Sequence, residues 1–455
     1  MHLLLFLLMI APWGKLQSAA DVPPPAPFRA GVARVKITPG GPIWMSGYAN
    51  RTKPSEGVLT ELWAKALAIQ DGKGYKIVLV TTDLIGLPRS ITDEVAARAE
   101  KQYGLRRAQV LFNSSHTHTG PVVWPNLSTM FDLGDDERTR LAAYSSSLRE
   151  NLFTVIGAAL GDLAPARIAF GQGETGFAIN RRQFSRTSVQ IGVNPKGPMD
   201  HSVPVFDIRG ADGKLKAVLF GYACHNTTLT GEHHKISGDY AGYAQMEIES
   251  AHPGATALFL MLCGADQNPN PRSKEELAIE HGKSLAAAVE SVLKGKLDPL
   301  RSPVKAAYQS IDLAFAIHTR ETFETDAKDP NVFKARRARQ MLAAYDAGRP
   351  VRSTPYPVQA IRFSKDLTVL ALGGEVVVDY VLRTRRDYPK ERLVVAGYSN
   401  DVMCYIPSLR VLREGGYEAD TSMIYYGQPG KFAEDVEDRI FRSISDVLKR
   451  VGVRP

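Results

Sequence analysis

Apolar and polar positions along the chain fall into two rhythms. Short apolar runs closed off by Gly, Pro, Asn and Asp predict strands at 31–37, 62–70, 76–82, 105–112, 166–170, 203–208, 215–223, 257–262, 304–311, 358–363, 368–372 and 392–396. The first stops at Thr38-Pro39-Gly40-Gly41, and the second and third join at the turn Asp71-Gly72-Lys73-Gly74. Between the strands, apolar residues recur at helical spacing. One helix opens at Thr92-Asp93-Glu94 and ends before Gly104, and others run over 138–160 and 431–451. A basic helix over 330–348 turns Val332, Phe333, Ala335, Met341, Leu342 and Tyr345 inward and reads as a solvated helical insertion. Strands interleaved with helices predict the α/β class: mixed β-sheets flanked by α-helices in a single large domain.

The start of the chain has a different character. Leu3 to Ala11 is an apolar run too short to span a bilayer, and it leads through Gln17-Ser18-Ala19-Ala20 into prolines, the layout of a secretory signal peptide. The expected division is a signal peptide at 1–20, a Pro-rich linker at 21–30 and one domain at 31–452, with the mature protein secreted or periplasmic. Composition, 44% hydrophobic and 23% charged over 455 residues, excludes a disordered chain. The net charge of +8 suits an acidic substrate or a peripheral membrane contact. Lys and Arg are scattered rather than gathered into a stripe, which argues against nucleic acid as a partner. Three cysteines, Cys224, Cys263 and Cys404, are too few for a disulfide framework, so an apolar core must supply the stability.

Polar clusters interrupt the apolar runs where strands end. Residues 113–121 read Asn-Ser-Ser-His-Thr-His-Thr-Gly-Pro, and on a continuing strand His116 and His118 share one face. An isolated pair of this kind is more often simple packing, so its companions decide. His225 ends the apolar run 215–223 in the same way, and Asp239, after Ser237-Gly238, opens a helix and reads as its N-cap. Residues 264–270, Gly-Ala-Asp-Gln-Asn-Pro-Asn, end another strand. Glu375 follows Gly373-Gly374 among apolar neighbours, where a carboxylate is costly to bury unless paired or bound to a cation. Tyr405 follows the polar break at Ser399-Asn400-Asp401. Two imidazoles, a carboxylate and a phenolate oxygen from His116, His225, Glu375 and Tyr405 make a sensible N and O ligand set for Zn²⁺. Cys224 and Cys404 directly precede two of these residues and so face packing. Asn113 and Asn226 match glycosylation acceptors but sit too close to the candidate ligands to be anything but chance matches.

From Gly31 to about Val451 the chain resembles the catalytic region of the neutral/alkaline, non-lysosomal ceramidases. The stretches that carry the likeness are 45–50 (Met-Ser-Gly-Tyr-Ala-Asn), 115–121, Ile179-Asn180-Arg181, 237–244, Gly374-Glu375 and Tyr417-Glu418-Ala419. The resemblance implies a zinc-dependent amidohydrolase of sphingolipid metabolism that cleaves the N-acyl bond of a ceramide-like lipid with a metal-bound hydroxide. It assigns His116, His225, Glu375 and Tyr405 to the zinc and turns His118 and Arg181 toward the scissile amide. His118 would pass a proton to the leaving amine or stabilise the oxyanion, Arg181 would orient the carbonyl or an adjacent hydroxyl, and Tyr405 would alternate between ligand and oxyanion donor.

Two departures stand out. Where the family has Gly-Asp-Val-Ser-Pro-Asn, this chain places Asn268 at the serine; an amide is no nucleophile, though it can donate a hydrogen bond. No immunoglobulin-like domain of the kind that members commonly append is expected after the catalytic region. Rival readings are a metal-dependent hydrolase of a different amide or ester, and a non-catalytic relative that binds lipid or metal. A barrel amidohydrolase, which also uses His-x-His, fits poorly because the strands are irregularly spaced and the candidate carboxylate comes late. Residues 122–127, following the histidines, are either an apolar wall beside the substrate entrance or a packing loop.

Overall fold

Strand alternation builds this molecule in layers. The computed structural model describes residues 27–301 and 303–455; the expected signal peptide and residues 21–26 of the expected linker lie outside them. The larger sheet runs Thr256–Met261, Leu215–Tyr222, Ser202–Gly210, Ala164–Glu174, Phe28–Lys36, Trp63–Asp71, Lys76–Thr82 and Val110–Ser114, with Asp298–Pro299 pairing beside Ala164–Glu174. Its path is antiparallel except at the two ends. There Thr256–Met261 runs parallel to Leu215–Tyr222, and Val110–Ser114 parallel to Lys76–Thr82. Parallel neighbours need a crossover, supplied by the helices Asp239–Ala251 and Arg89–Tyr103. A second sheet orders Lys305–Ala314, Ser353–Arg362, Leu367–Leu372 and Arg392–Ala396, the last pair parallel around the helix Asp379–Asp387.

The period of two sorts side chains between layers. Along Trp63–Asp71, Ala64, Ala66 and Ala68 face the helix Asp135–Gly161 and its Leu148, Leu152 and Ile156, whereas Leu67 and Ile69 face the second sheet and its Ile361, Val369 and Val394. The far side of that second sheet, with Val358, Leu370 and Val395, is covered by Ile440, Ile444, Val447 and Leu448 of the helix Val436–Val451. Helix, sheet, sheet and helix therefore stack around three apolar interfaces, an α/β fold of mixed sheets in a single domain. Backbone bridges Asn113 to Ser399 and Leu262 to Ala396 stitch the two sheets where their parallel strands end. Among the described residues, no helix is long and apolar enough to cross a membrane.

Several elements depart from the pattern. The first strand starts at Phe28, so the last three positions assigned to the linker belong to the sheet. The strand expected over 105–112 begins only at Val110. Residues 107–109 form a short 3-10 turn because Gln109 folds back to accept from the Arg106 N–H at 3.2 Å and donates to the Lys76 carbonyl at 2.6 Å. The last helix starts at Val436 rather than at 431, since Phe432 pairs with Phe315 instead. In the helix Val332–Asp346, Val332 is exposed and Arg337 buried, its guanidinium 2.6 Å from Asp326; an ion pair has taken a place that hydropathy assigned to apolar residues. The hairpin Ala178–Phe184 and Val189–Asn194 escaped prediction because Asn180, Arg181, Arg182 and Gln183 break any apolar run.

Candidate metal centre

The parallel strand ends deliver the candidate residues to one spot. His116 lies beyond the end of Val110–Ser114, with φ of 62°. The chain has left the strand, so His116 and His118 meet through a turn and not, as the sequence suggested, on one strand face. A left-handed conformation costs a non-glycine residue roughly 1–2 kcal/mol, and here it is over-determined. The His116 N–H donates to Leu84 O at 2.9 Å and its Nδ1 to Ile85 O at 2.6 Å. His118 is pinned through its N–H to Asn226 O at 3.3 Å and through its carbonyl, which accepts from Arg51 Nη2 at 3.0 Å. His225 follows Leu215–Tyr222; its N–H reaches Gln267 O at 2.8 Å and its Nδ1 donates to Gly264 O at 3.0 Å. Glu375 and Tyr405 sit opposite each other in a short parallel pair, Glu375–Val376 with Tyr405–Ile406. Gly374, at φ of 72°, permits that approach: a Cβ there would come within 2.7 Å of Cys404 O.

The side chains converge. Glu375 Oε2 lies 3.0 Å from His116 Nε2 and 3.1 Å from His225 Nε2, Tyr405 OH is 3.1 Å from His225 Nε2, and His118 Nε2 is 3.1 Å from His116 Nε2. A carbonyl can only accept, so His116 and His225 each carry a proton on Nδ1, which leaves Nε2, the atom turned inward, as the one that can bind a metal. Burial drives the His225 imidazole down to about 3, with Arg181 adding to the shift, and burial together with the neighbouring His116 and His225 holds His118 well below its usual range. Burial pushes the Glu375 carboxyl up, but His116 and His225 outweigh it and keep the group ionised. Two imidazole Nε2 atoms and a carboxylate thus converge on one point, a donor set that fits a bound divalent metal. The three imidazoles alone present ligand atoms within 4.8 Å of one another. The carbonyl partners separate their roles: His116 and His225 have the outer hydrogen bonds that orient metal-binding histidines, whereas His118 Nδ1 has no partner and its ring rests on Tyr48.

A second layer fixes this cluster. Tyr426 donates to Glu375 Oε1, and Tyr398 to Oε2 at 3.4 Å. Burial raises the Tyr405 phenol well above its ordinary value, so by itself it is a neutral hydroxyl rather than the phenolate expected from sequence. It accepts from Arg181 Nη2 at 2.9 Å. Arg181 also donates Nη1 to Asn268 Oδ1 at 3.2 Å and Nε to Glu418 Oε1 at 2.8 Å, while Glu418 Oε2 takes Arg182 Nη1 at 2.6 Å. Asn268 reaches the site on the short strand Gln267–Pro269, paired with the hairpin strand that carries Arg181. Thus Arg181 and Asn268 join the His116, His118, His225, Glu375 and Tyr405 group. Asp239 does not cap in the expected way: it is the first helical residue, with φ of 51°, and its carboxylate accepts from Leu229 and Tyr240 N–H groups. Val122, Val123 and Leu127 are core residues, so 122–127 is a packing loop. Asn113 and Asn226 are buried, and Asn113 donates to Met261 O, Gly397 O and Ser399 Oγ, tying the sheets together.

A cleft of about 190 Å³ reaches the cluster, lined among others by Tyr48, His118, Arg181, Asn268, Tyr405 and Tyr417. A larger cavity, about 490 Å³ along Lys36–Ile43 and Tyr144, holds no comparable group of titratable side chains, so the smaller one is where chemistry is placed.

Residues 28–299 match the family described as neutral/alkaline non-lysosomal ceramidase, N-terminal. The chain belongs to this family. The neutral ceramidase of Pseudomonas aeruginosa is 28% identical over 257 residues, 54% of this chain and 37% of that protein. Those of Drosophila melanogaster and Mycobacterium tuberculosis are 24% and 26% identical over 263 and 249 residues, covering 36% and 38% of their own lengths. The matched stretch therefore spans little more than a third of these relatives. The crystal structure of the Pseudomonas aeruginosa neutral ceramidase shares the fold, with a TM-score of 0.74 at 20% identity over 94% of this chain and 75% of that one. Within the ceramidase-family match lie His116, His118, Arg181, His225 and Asn268; Glu375 and Tyr405 enter the cluster from beyond it. Sequence reasoning missed Tyr398, Tyr426 and the roles of Arg182 and Glu418. Only Glu418 left a signal, as part of Tyr417-Glu418-Ala419.

Proposed function

We propose that this protein is a zinc-dependent amide hydrolase that cleaves the N-acyl bond of a ceramide-like lipid. The observation that carries the reading is the pair of inward Nε2 atoms, on His116 and His225, meeting the buried Glu375 carboxylate at 3.0 and 3.1 Å beside an open cleft. His116, His225, Glu375 and Tyr405 would hold the ion. A bound Zn²⁺ supplies Lewis acidity and a nucleophile at neutral pH.

The chain's own residues supply the rest. His118, kept neutral by burial and by its imidazole neighbours, takes a proton from the attacking water at Nε2, the atom facing the cluster, and delivers it to the departing nitrogen. The new C–O bond forms first, moving charge onto the carbonyl oxygen, and the C–N bond then breaks, with one water consumed per amine released. Arg181, fixed by Glu418, orients the Tyr405 hydroxyl for donation to the oxygen on which charge develops. Asn268, whose Oδ1 is occupied by Arg181, has its amide hydrogens left to bind substrate and cannot act as a nucleophile.

The test is metal analysis of the purified protein together with amine release from short-chain N-acyl sphingosines, with His116→Ala and Glu375→Ala as controls. Stoichiometric zinc and release abolished in both variants are expected. Zinc-free protein that still hydrolyses, or zinc retained in both variants, would end the proposal.

A further inference from the structure

Two arginines line the cleft, and only one has a counter-ion. Arg181 is engaged by Glu418, Asn268 and Tyr405. Arg272 forms no salt bridge among the described residues, and its hydrogen bond to protein runs from Nη2 to Tyr48 OH at 3.0 Å. Its Nε is buried without an acceptor. Tyr48 offers no charge in return: burial pushes its phenol up to about 12, and its OH donates to Leu229 O at 2.9 Å. The acid whose charge reaches Arg272, Asp239, has one carboxylate oxygen on the Leu229 N–H and the other on that of Tyr240. Thr227, 3% exposed, lines the same cleft, and its Oγ1 too has no partner.

Buried donors without acceptors cost about 1–3 kcal/mol each, more when charged, and native structures rarely keep them. Here two unpaired polar groups, one of them on a guanidinium with no carboxylate in contact among the described residues, line a cleft that Met130, Ile191 and Tyr425 also line. Ile191 is an apolar side chain left 49% exposed. A neutral diol headgroup would leave the guanidinium without a counter-charge; a carboxylate or phosphate matches it with charge-assisted, bidentate bonds.

Resting on the amide-hydrolase reading above, we propose that Arg272 and Thr227 form a subsite for an anionic group on the amine half of the substrate. The preferred substrates are then ceramide-like N-acyl amides whose amine half carries a carboxylate or a phosphate, the acyl chain lying on Met130, Ile191 and Tyr425. The anionic group stays bound through Arg272 and takes no part in bond breaking.

Calorimetric titration of the full chain with N-octanoylserine, with N-octanoylserinol, its neutral analogue, and with N-octanoylethanolamine phosphate tests this, alongside amine release from each. The carboxylate or the phosphate compound should bind tenfold or more tighter than the serinol, on the order expected for a charge-assisted pair. Whichever of the two leads names the anion. Arg272→Gln should erase that preference and Thr227→Val should weaken binding, both with wild-type melting temperature; Arg272→Lys, which keeps the charge, should retain part of it. Equal affinities in the wild type, or a preference that survives Arg272→Gln, would overturn the subsite even if all three amides are hydrolysed. Arg272-dependent binding without hydrolysis of any of them or of the short-chain N-acyl sphingosines would keep the subsite and overturn the amidase reading instead.

Discussion

Glu418→Gln isolates what holds Arg181 in place. The Glu418 carboxylate, 2% exposed, lies 2.8 Å from Arg181 Nε and 2.6 Å from Arg182 Nη1, and these arginines are 4% and 1% exposed. Glutamine keeps the shape and removes the charge. Arg182 retains Glu414 at 3.1 Å, but Arg181 is left with the neutral acceptors Asn268 and Tyr405. Stranding one buried cation costs about 3–5 kcal/mol. A domain of about 430 residues unfolds with roughly 2.1 cal/mol/K per residue, or ~0.9 kcal/mol/K, so the melting temperature should fall by about 3–6 °C. Calorimetry reads this directly. Linkage gives a second check: Arg181 and Arg182 hold the Glu418 carboxyl below its usual range against burial, so its stabilisation is present above the unfolded carboxylate pKa of about 4.3 and lost as pH falls. The wild type should therefore lose its advantage over the variant on acidification below about pH 4. Adding Arg181→Met to Glu418→Gln removes the stranded cation and should recover part of the loss. A single variant melting within about 1 °C of wild type, or a double variant no better than the sum of its parts, would refute the claim that these charges are desolvated and mutually dependent.

Three further outcomes follow from the same geometry. Burial lifts the Asp401 carboxyl to about 7, so its stabilising contribution is full below about pH 4 and lost as pH rises through 7; in urea titrations at stepped pH, Asp401→Asn should become more stable relative to wild type across that window, by no more than about 4 kcal/mol. Chelation should lower the wild-type melting temperature, and zinc at a hundredfold excess over its Kd should restore about 2.7 kcal/mol, whereas Glu375→Gln should show no zinc-dependent shift. Gly47 has φ of 91° and a Cβ there would lie 2.4 Å from His118 Nδ1, so Gly47→Ala should displace that imidazole and cut kcat/KM on an N-acyl substrate by ~10²-fold while zinc content stays at the wild-type level.

What the sequence made legible, and what it hid, divides along a physical line. Apolar periodicity reports burial, so it located the strands and helices whose faces pack. It was silent where burial is achieved by pairing: the hairpin carrying Arg181 and Arg182 is a polar string that becomes interior only through Glu418, distant in sequence, and the helix Val332–Asp346, though foreseen, gave no sign that Arg337 turns inward onto Asp326. The same limit governs the site. His116, His225, Glu375 and Tyr405 were readable because each ends an apolar run, a local signal. Tyr398 and Tyr426 were not, because what makes them part of the site is the Glu375 carboxylate they donate to, 23 and 51 residues away in the chain.

The His-x-His pair shows why local geometry can mislead even when the residues are chosen well. Alternation along a strand would set the two imidazoles side by side with equal claims on a ligand. Instead the left-handed turn at His116 gives it Ile85 O as an outer partner and leaves His118 Nδ1 with none. On the proposed function, the imidazole whose Nδ1 is fixed by Ile85 O is the metal ligand, and the other carries the proton. The turn, not the spacing, divides the labour between them. A substitution that let the chain run on as a strand through His116 would keep both histidines and should still lose the difference between them.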